Sequence, residues 1–252
     1  MSVKSGHETE QECGRAYVVG DLHGCLDRFV DLLSQIRDDL ADWTGSSLLI
    51  FLGDYVDRGD DSAGLLDLLR RGAAGLDLPP ACQVRCLKGN HEDLFLRALR
   101  GEDSDALWLA NGGDATCRSY GVCVEALGRH GPLQPGLSKA LRRAVPASHR
   151  AFLEGLETRH QVGDYFFCHA GVRPGVPLAE QEEEDLLWIR GSFLRSAADH
   201  GAIVVHGHSP VAEPDLLPNR IGIDTGAVYG GRLTALVLDG LGRGAERRFL
   251  QA

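Results

Sequence analysis

Residues 48–59 read Leu-Leu-Ile-Phe-Leu-Gly-Asp-Tyr-Val-Asp-Arg-Gly: five apolar residues that run straight into a glycine-bounded cluster of acids and one arginine. A short continuous apolar run closed by glycine is the pattern of a strand buried on both faces. The pattern recurs along the chain. Residues 16–19 run into Gly20-Asp21-Leu22-His23-Gly24, and residues 83–87 into Lys88-Gly89-Asn90-His91-Glu92. Residues 165–168 run into His169-Ala170-Gly171, and residues 202–205 into His206-Gly207-His208. Helical patterns lie between the first three runs. Over residues 26–40, Leu26, Phe29, Val30, Leu33, Ile36 and Leu40 keep helical spacing, with Asp and Arg on the opposite side. Residues 62–71 and 92–100 are similar.

Strand, polar loop, helix, strand is a βαβ unit, and consecutive units predict a largely parallel α/β sheet. In such sheets functional groups gather at the carboxyl ends of the strands. All five polar clusters fall there, so the fold is expected to bring them to one rim. Residues 101–159 differ, with helical patches at 106–109 and 148–156 and a Gly/Pro-bearing stretch at 128–136. They read as a helical insertion capping the rim. The acidic run 180–185 leads into a segment that ends at Trp188-Ile189-Arg190. Residues 220–223 and 233–238, with Gly230-Gly231 between them, predict a closing hairpin. The expected organisation is a flexible tail, residues 1–14, then a single domain, residues 15–252.

Composition narrows the function. The chain has 252 residues, 43% hydrophobic and 25% charged, as in an ordinary globular protein. No apolar run approaches the roughly 20 residues of a membrane span, so no membrane partner is expected. With 26 Lys plus Arg against 36 Asp plus Glu, the formal charge is −10, which argues against a nucleic-acid binder. The seven cysteines form no C-x-x-C pair, so neither a zinc ribbon nor a thioredoxin-like motif is signalled. Residues 1–14 are polar, without the apolar core of a secretory signal. A cytoplasmic, reducing location is expected.

The rim would present Asp21, His23, Asp54, Asn90, His169 and His206. Oxygen and imidazole donors without thiolate suit manganese, iron, zinc or nickel. Burying unpaired aspartates costs several kcal/mol each without a cation. His208 reads as a core histidine outside this set, and Glu92 as a support for its loop. His7, His130, His149, His160 and His200 lie outside every cluster and read as surface residues.

The three ordered motifs, Gly20 to Gly24, Gly53 to Gly59 and Gly89 to Glu92, match GDxHG, GDxxDRG and GNHE. The sequence thereby resembles the phosphoprotein phosphatase family of metallophosphoesterases, in particular its compact bacterial and bacteriophage serine/threonine phosphatases. The resemblance runs from Asp21 to about Tyr229. It implies a β-sandwich flanked by helices, a second sheet that the apolar pattern alone does not give. It implies two divalent ions, manganese foremost. Asp21 and His23 would hold the first, Asp54 would bridge, and Asn90, His169 and His206 would hold the second. A hydroxide bridging the ions would attack phosphorus in line. Arg58 and Arg190 would hold the phosphate, although Arg190 could instead cap a helix. His91, oriented by Asp57, would be the general acid. Tyr229 either overhangs the substrate or packs in the hairpin. The implied substrate is a phosphorylated protein or peptide, or a small phosphoester, including phosphotyrosine, and a monomer is the expected state. Asp57 favours this over the symmetrical dinucleoside tetraphosphate hydrolases, which usually carry Ala there. The alternatives are a dinucleoside polyphosphate or other nucleotide or polyphosphate hydrolase, and a non-catalytic phosphate-binding module.

Overall fold

The computed structural model describes residues 13–102, 105–128 and 133–252. Twelve residues of the expected tail lie outside this range, as does part of the Gly/Pro-bearing stretch. Cys13 is buried, and the Gly14 amide donates to Ser46 O at 3.2 Å.

Among the described residues, ten strands form two sheets. They are β1 (Arg15–Val19), β2 (Ser47–Phe51), β3 (Cys82–Cys86), β4 (Arg159–Val162), β5 (Tyr165–Cys168), β6 (Ile203–His206), β7 (Asp215–Leu216), β8 (Arg220–Gly222), β9 (Thr234–Asp239) and β10 (Glu246–Gln251). The first sheet has the order β10-β9-β1-β2-β3 and the second β4-β5-β6-β8-β7. Each contains three parallel strands, β1-β2-β3 and β5-β6-β8, with antiparallel neighbours outside them.

Strand alternation sorts the side chains into layers. Ala16, Val18, Leu48, Ile50, Leu236 and Leu238 point from the first sheet into the sandwich, where Tyr165, Phe167, Ile203, Val205 and Ile221 meet them from the second. The intervening residues Tyr17, Val19, Leu49 and Phe51 pack instead on the helices Leu26–Ala41, Ser62–Leu69 and Asn90–Arg100. On the far face of the second sheet, Phe166, Cys168 and Val204 pack on Leu186 of helix Glu183–Trp188 and Phe193 of helix Gly191–Leu194. The layers are therefore helix, sheet, sheet, helix, the flanked β-sandwich that the motifs implied. The insertion folds as short helices, among them Asp105–Trp108, Asp114–Ser119, Leu133–Ala144 and Ala147–Glu154. Among the described residues no helix is long and apolar enough to cross a membrane.

Two expectations are corrected. The hairpin is not built from residues 220–223 and 233–238: β8 lies in the second sheet and β9 in the first. Thr225 to Arg232 carries the chain from one sheet to the other, and the hairpin is β9 with β10. His149 and His160 are buried rather than superficial. His149 sits between the Tyr120 hydroxyl at 2.7 Å and Asp67 Oδ1 at 3.1 Å.

Ile50 is fully buried between the sheets. Ile50→Ala is expected to cost about 2–5 kcal/mol in urea unfolding; a cost below about 1 kcal/mol would contradict its placement.

Candidate metal centre

The loops after β1, β2, β3, β5 and β6 meet at one rim, and their backbones are unusual. Among the described residues, six non-glycine residues have positive φ, and five of them lie here: His23 (41°), Asp54 (53°), Asp57 (74°), Arg58 (69°) and His208 (65°). Such conformations cost about 1–3 kcal/mol each and persist only where the surroundings fix them. Glu92 supplies much of that support. Its buried carboxylate accepts the amides of Gly89 (2.8 Å), Asp54 (2.8 Å), Tyr55 (2.7 Å) and Val56 (3.2 Å). It thus clamps the loop after β2 to the loop after β3. Two glycines leave room for the acids: a Cβ on Gly89 would run into Asp54 Oδ1, and one on Gly207 into Asp21 Oδ1.

Asp54 stands at the centre. Its Oδ2 lies 3.4 Å from His23 Nε2, 3.3 Å from His169 Nε2 and 3.9 Å from His91 Nε2. Asn90 Oδ1 lies 2.9 Å from His169 Nε2 and 2.9 Å from His208 Nδ1, and these two ring nitrogens are 3.2 Å apart. Donor atoms spaced in this way are neighbours around one ion held at about 2.0–2.2 Å. Asp21 lies beside the group, its two oxygens accepting the His208 amide at 3.2 and 3.1 Å.

The electrostatics call for cations. Asp21, Asp54, Asp57, Glu92 and Asp224 are all buried. Burial and the charge of Asp224 push Asp21 well above the usual carboxylate range. Burial would raise Asp54 too, but the adjoining His169 and His91 hold it well below that range. Burial disfavours protonation of His169, yet Asp54 lifts its pKa to about 9. The proton on His169 supplies charge that a cation would supply. His23 is pushed down to about 3 and His208 to about 2, burial being the main cause in each. Neutral imidazole is the form that binds metal. The donor set therefore fits divalent ions.

Around this centre, His91 Nδ1 donates to Asp57 Oδ2 at 2.7 Å, with both side chains buried. Burial lowers the His91 pKa, but the charges of Asp54 and Asp57 outweigh it and the net shift is upward. The Arg58 guanidinium touches His23 Nε2 and lies 5.6 Å from the Tyr229 ring centre. Tyr229 is exposed beside Arg58. Arg190 Nε donates to His208 Nε2 at 2.9 Å, so this side chain also reaches the cluster.

One expected donor is elsewhere. His206 is the last residue of β6, and strand parity puts it on the face of Ala202 and Val204. Its ring packs edge-on to Phe193 at 5.1 Å. His208 takes the place at the rim: Gly207 ends the strand and a left-handed His208 turns the imidazole back to Asn90. The sequence does not separate the two: His206 follows the apolar run 202–205 as His169 follows 165–168, and only the extension of β6 to His206 keeps that residue in the sheet. Sequence reading also missed Asp224, Trp108 and Thr116. Asp224, just past the predicted strand 220–223 and two residues before Gly226, carries a signal of the recurrent kind; the other two lie in the insertion and carry none.

This fold, with this cluster at its rim, defines a metallophosphoesterase. Residues 14–233 match the model of the calcineurin-like phosphoesterase family, and the chain belongs to that family. Members use a dinuclear divalent metal centre, and the protein is a hydrolase. It is 32% identical over 229 residues to serine/threonine-protein phosphatase 1 of Salmonella typhimurium, covering 86% of this chain and 89% of that one. It is 27% identical over 241 residues to an asymmetrical bis(5'-nucleosyl)-tetraphosphatase of Bacillus cereus, covering 87% and 88%. Among solved structures, a cold-active protein-tyrosine phosphatase of a Shewanella species superposes with a TM-score of 0.59 at 17% identity, covering 99% of this chain and 86% of that one. At that identity the likeness is one of fold.

Glu92→Gln replaces one acceptor oxygen by a carboxamide NH2, a donor that would face amide donors. It is expected to cost at least about 2 kcal/mol in chemical denaturation; an unchanged midpoint would contradict the clamp.

Proposed function

We propose that the protein is a serine/threonine protein phosphatase, extending to phosphotyrosine, that works with two divalent ions, manganese foremost. Its substrates are phosphorylated proteins or peptides. Asp21 and His23 would hold one ion, Asp54 both, and Asn90, His169 and His208 the other. His208 replaces His206 in this set because of the geometry described above. Bound there, the ions would activate a water and offset phosphoryl charge.

The chain's own groups supply the rest. Arg58 and Arg190 offer guanidinium donors on two sides of the centre, and paired donors suit phosphoryl oxygens. With His23 engaged as a metal donor, the Arg58 guanidinium would be released from its present contact with that ring and be open to the substrate. Hydrolysis exchanges the ester oxygen on phosphorus for a water oxygen. The departing serine or threonine alkoxide is strongly basic and needs a proton. His91 Nε2–H, with Nδ1–H fixed by Asp57, is placed to give it, a contribution typically of about 10²–10⁴ in rate.

That buried His91–Asp57 pair, 2.7 Å apart, is the observation that carries the choice of substrate. A phosphoanhydride releases a weakly basic phosphate and has little need of such an acid. The second reading is hydrolysis of a dinucleoside polyphosphate, and the Bacillus relative gives it equal standing by similarity.

Turnover of a phosphoserine peptide, a phosphotyrosine peptide, diadenosine tetraphosphate and tripolyphosphate, measured side by side in Mn²⁺, decides between them. The phosphopeptides are expected to give the higher kcat/KM; a tetraphosphate at least about tenfold better would favour the second reading. By calorimetry, His208→Ala is expected to weaken Mn²⁺ binding by at least about tenfold, in the range of losing a positioned donor. His206→Ala is expected to leave it within about threefold; the reverse order would restore His206 as the ligand.

A further inference from the structure

The insertion reaches the loop after β2. Trp108 is fully buried, and its Nε1–H donates to both oxygens of Asp57, at 3.0 and 2.9 Å. Thr116 Oγ1 accepts the Asp57 amide at 2.8 Å and donates to Asp57 Oδ1 at 2.6 Å. Between them a π-helical turn, Leu109–Gly113, brings Gly112 against the next residue. Gly112 O accepts the Arg58 amide at 3.1 Å, and a Cβ on Gly112 would come 2.7 Å from Arg58 Cγ. Asp57 and Arg58 are consecutive left-handed residues, so something outside their own loop must hold them. The stretch from Trp108 to Thr116 grips both.

We propose that Trp108 and Thr116 are positioning residues for the general acid: their N–H and O–H fix the Asp57 carboxylate, which in turn fixes His91. This rests on the acid role of His91 given above. The chemistry is specific. A carboxylate with one donor can rotate and release its partner. Here His91 takes Oδ2, Thr116 takes Oδ1, and the indole N–H spans both, so the plane of the carboxylate is set. A buried indole N–H needs an acceptor, and Asp57 provides it. The proton that His91 Nε2 passes to the leaving oxygen then starts from a fixed position. The insertion's helices are held in turn by stacking: Phe95 lies 5.3 Å from Trp108 at 19°, and 6.1 Å from Tyr120 at 28°. Trp108 could serve as packing alone, and its ring does pack. The N–H is the part that packing does not require.

The test separates the N–H from the ring. Trp108→Phe keeps an aromatic ring beside Phe95 and removes the donor. Thr116→Val keeps the shape and removes the hydroxyl, and Thr116→Ser restores it. All are assayed as full chains in Mn²⁺ with a phosphoserine peptide and with p-nitrophenyl phosphate, whose leaving group needs no proton. Trp108→Phe and Thr116→Val are each expected to lower kcat on the peptide by about 10–100-fold, the range for a hydrogen bond to a buried charge. KM is expected to stay within about twofold and kcat on the aryl ester within about threefold, as a defect confined to the transition state requires. Thr116→Ser is expected to recover most of the peptide rate. His91→Asn is the reference. If it shows the same selective loss while Trp108→Phe and Thr116→Val show none, or equal losses on both esters, the positioning role is overturned and the acid stands. If His91→Asn itself loses both esters equally, the acid role fails, and the positioning role with it. Should Trp108→Phe not fold, the Thr116 pair carries the same comparison.

Discussion

The Asp54 carboxylate is almost wholly out of water, with three imidazoles on its oxygen and four further buried acids around it. A group in that position must have positive charge beside it. Its backbone is equally constrained, since Asp54 sits in the left-handed region at the end of a buried strand. Both demands are met by neighbours from distant sequence. Glu92 holds the backbone through its amides, and His23 and His169 approach the side chain. The sandwich exists in this form because five loops have to arrive at one carboxylate.

The two sheets divide that labour. The parallel strands of the first sheet deliver Asp21, His23, Asp54, Asn90 and His91, and those of the second deliver His169 and His208. Each sheet alone would present half a cluster. The interior of apolar residues between them, with Ile50 and Phe167 among its members, sets how closely the two halves approach. The helical insertion adds a third contribution through Asp57 and Arg58. Stability and chemistry therefore share parts: residues that fill the sandwich also fix the spacing of the donors.

Much of this was legible in the sequence. Apolar runs ending in Gly, Asp and His gave five of the strands to within a residue or two, residues 220–223 and 233–238 gave two more, and helix Leu26–Ala41 followed from its periodicity. The parts that were not legible have physical reasons. β7 has two residues, and β4 and β10 carry arginines and half-buried positions, so neither shows a continuous apolar run. Gly230-Gly231 signals a turn, but a turn does not say which sheet the next strand joins. His206 and His208 are two residues apart and share a parity on paper. Only the strand's end at His206 and the left-handed turn at His208 send them to different places. Trp108 and Thr116 have no local pattern that marks them, because their partner Asp57 lies about fifty residues earlier.

The central claim is that these donors gather two cations around Asp54. Crystals grown in Mn²⁺ and measured at the manganese absorption edge test it most directly. Two anomalous peaks about 3.5–4 Å apart, both against Asp54 and one against Asn90, His169 and His208, are the predicted result. A single peak, or density at His206 with none between Asp54 and Asn90, would contradict it.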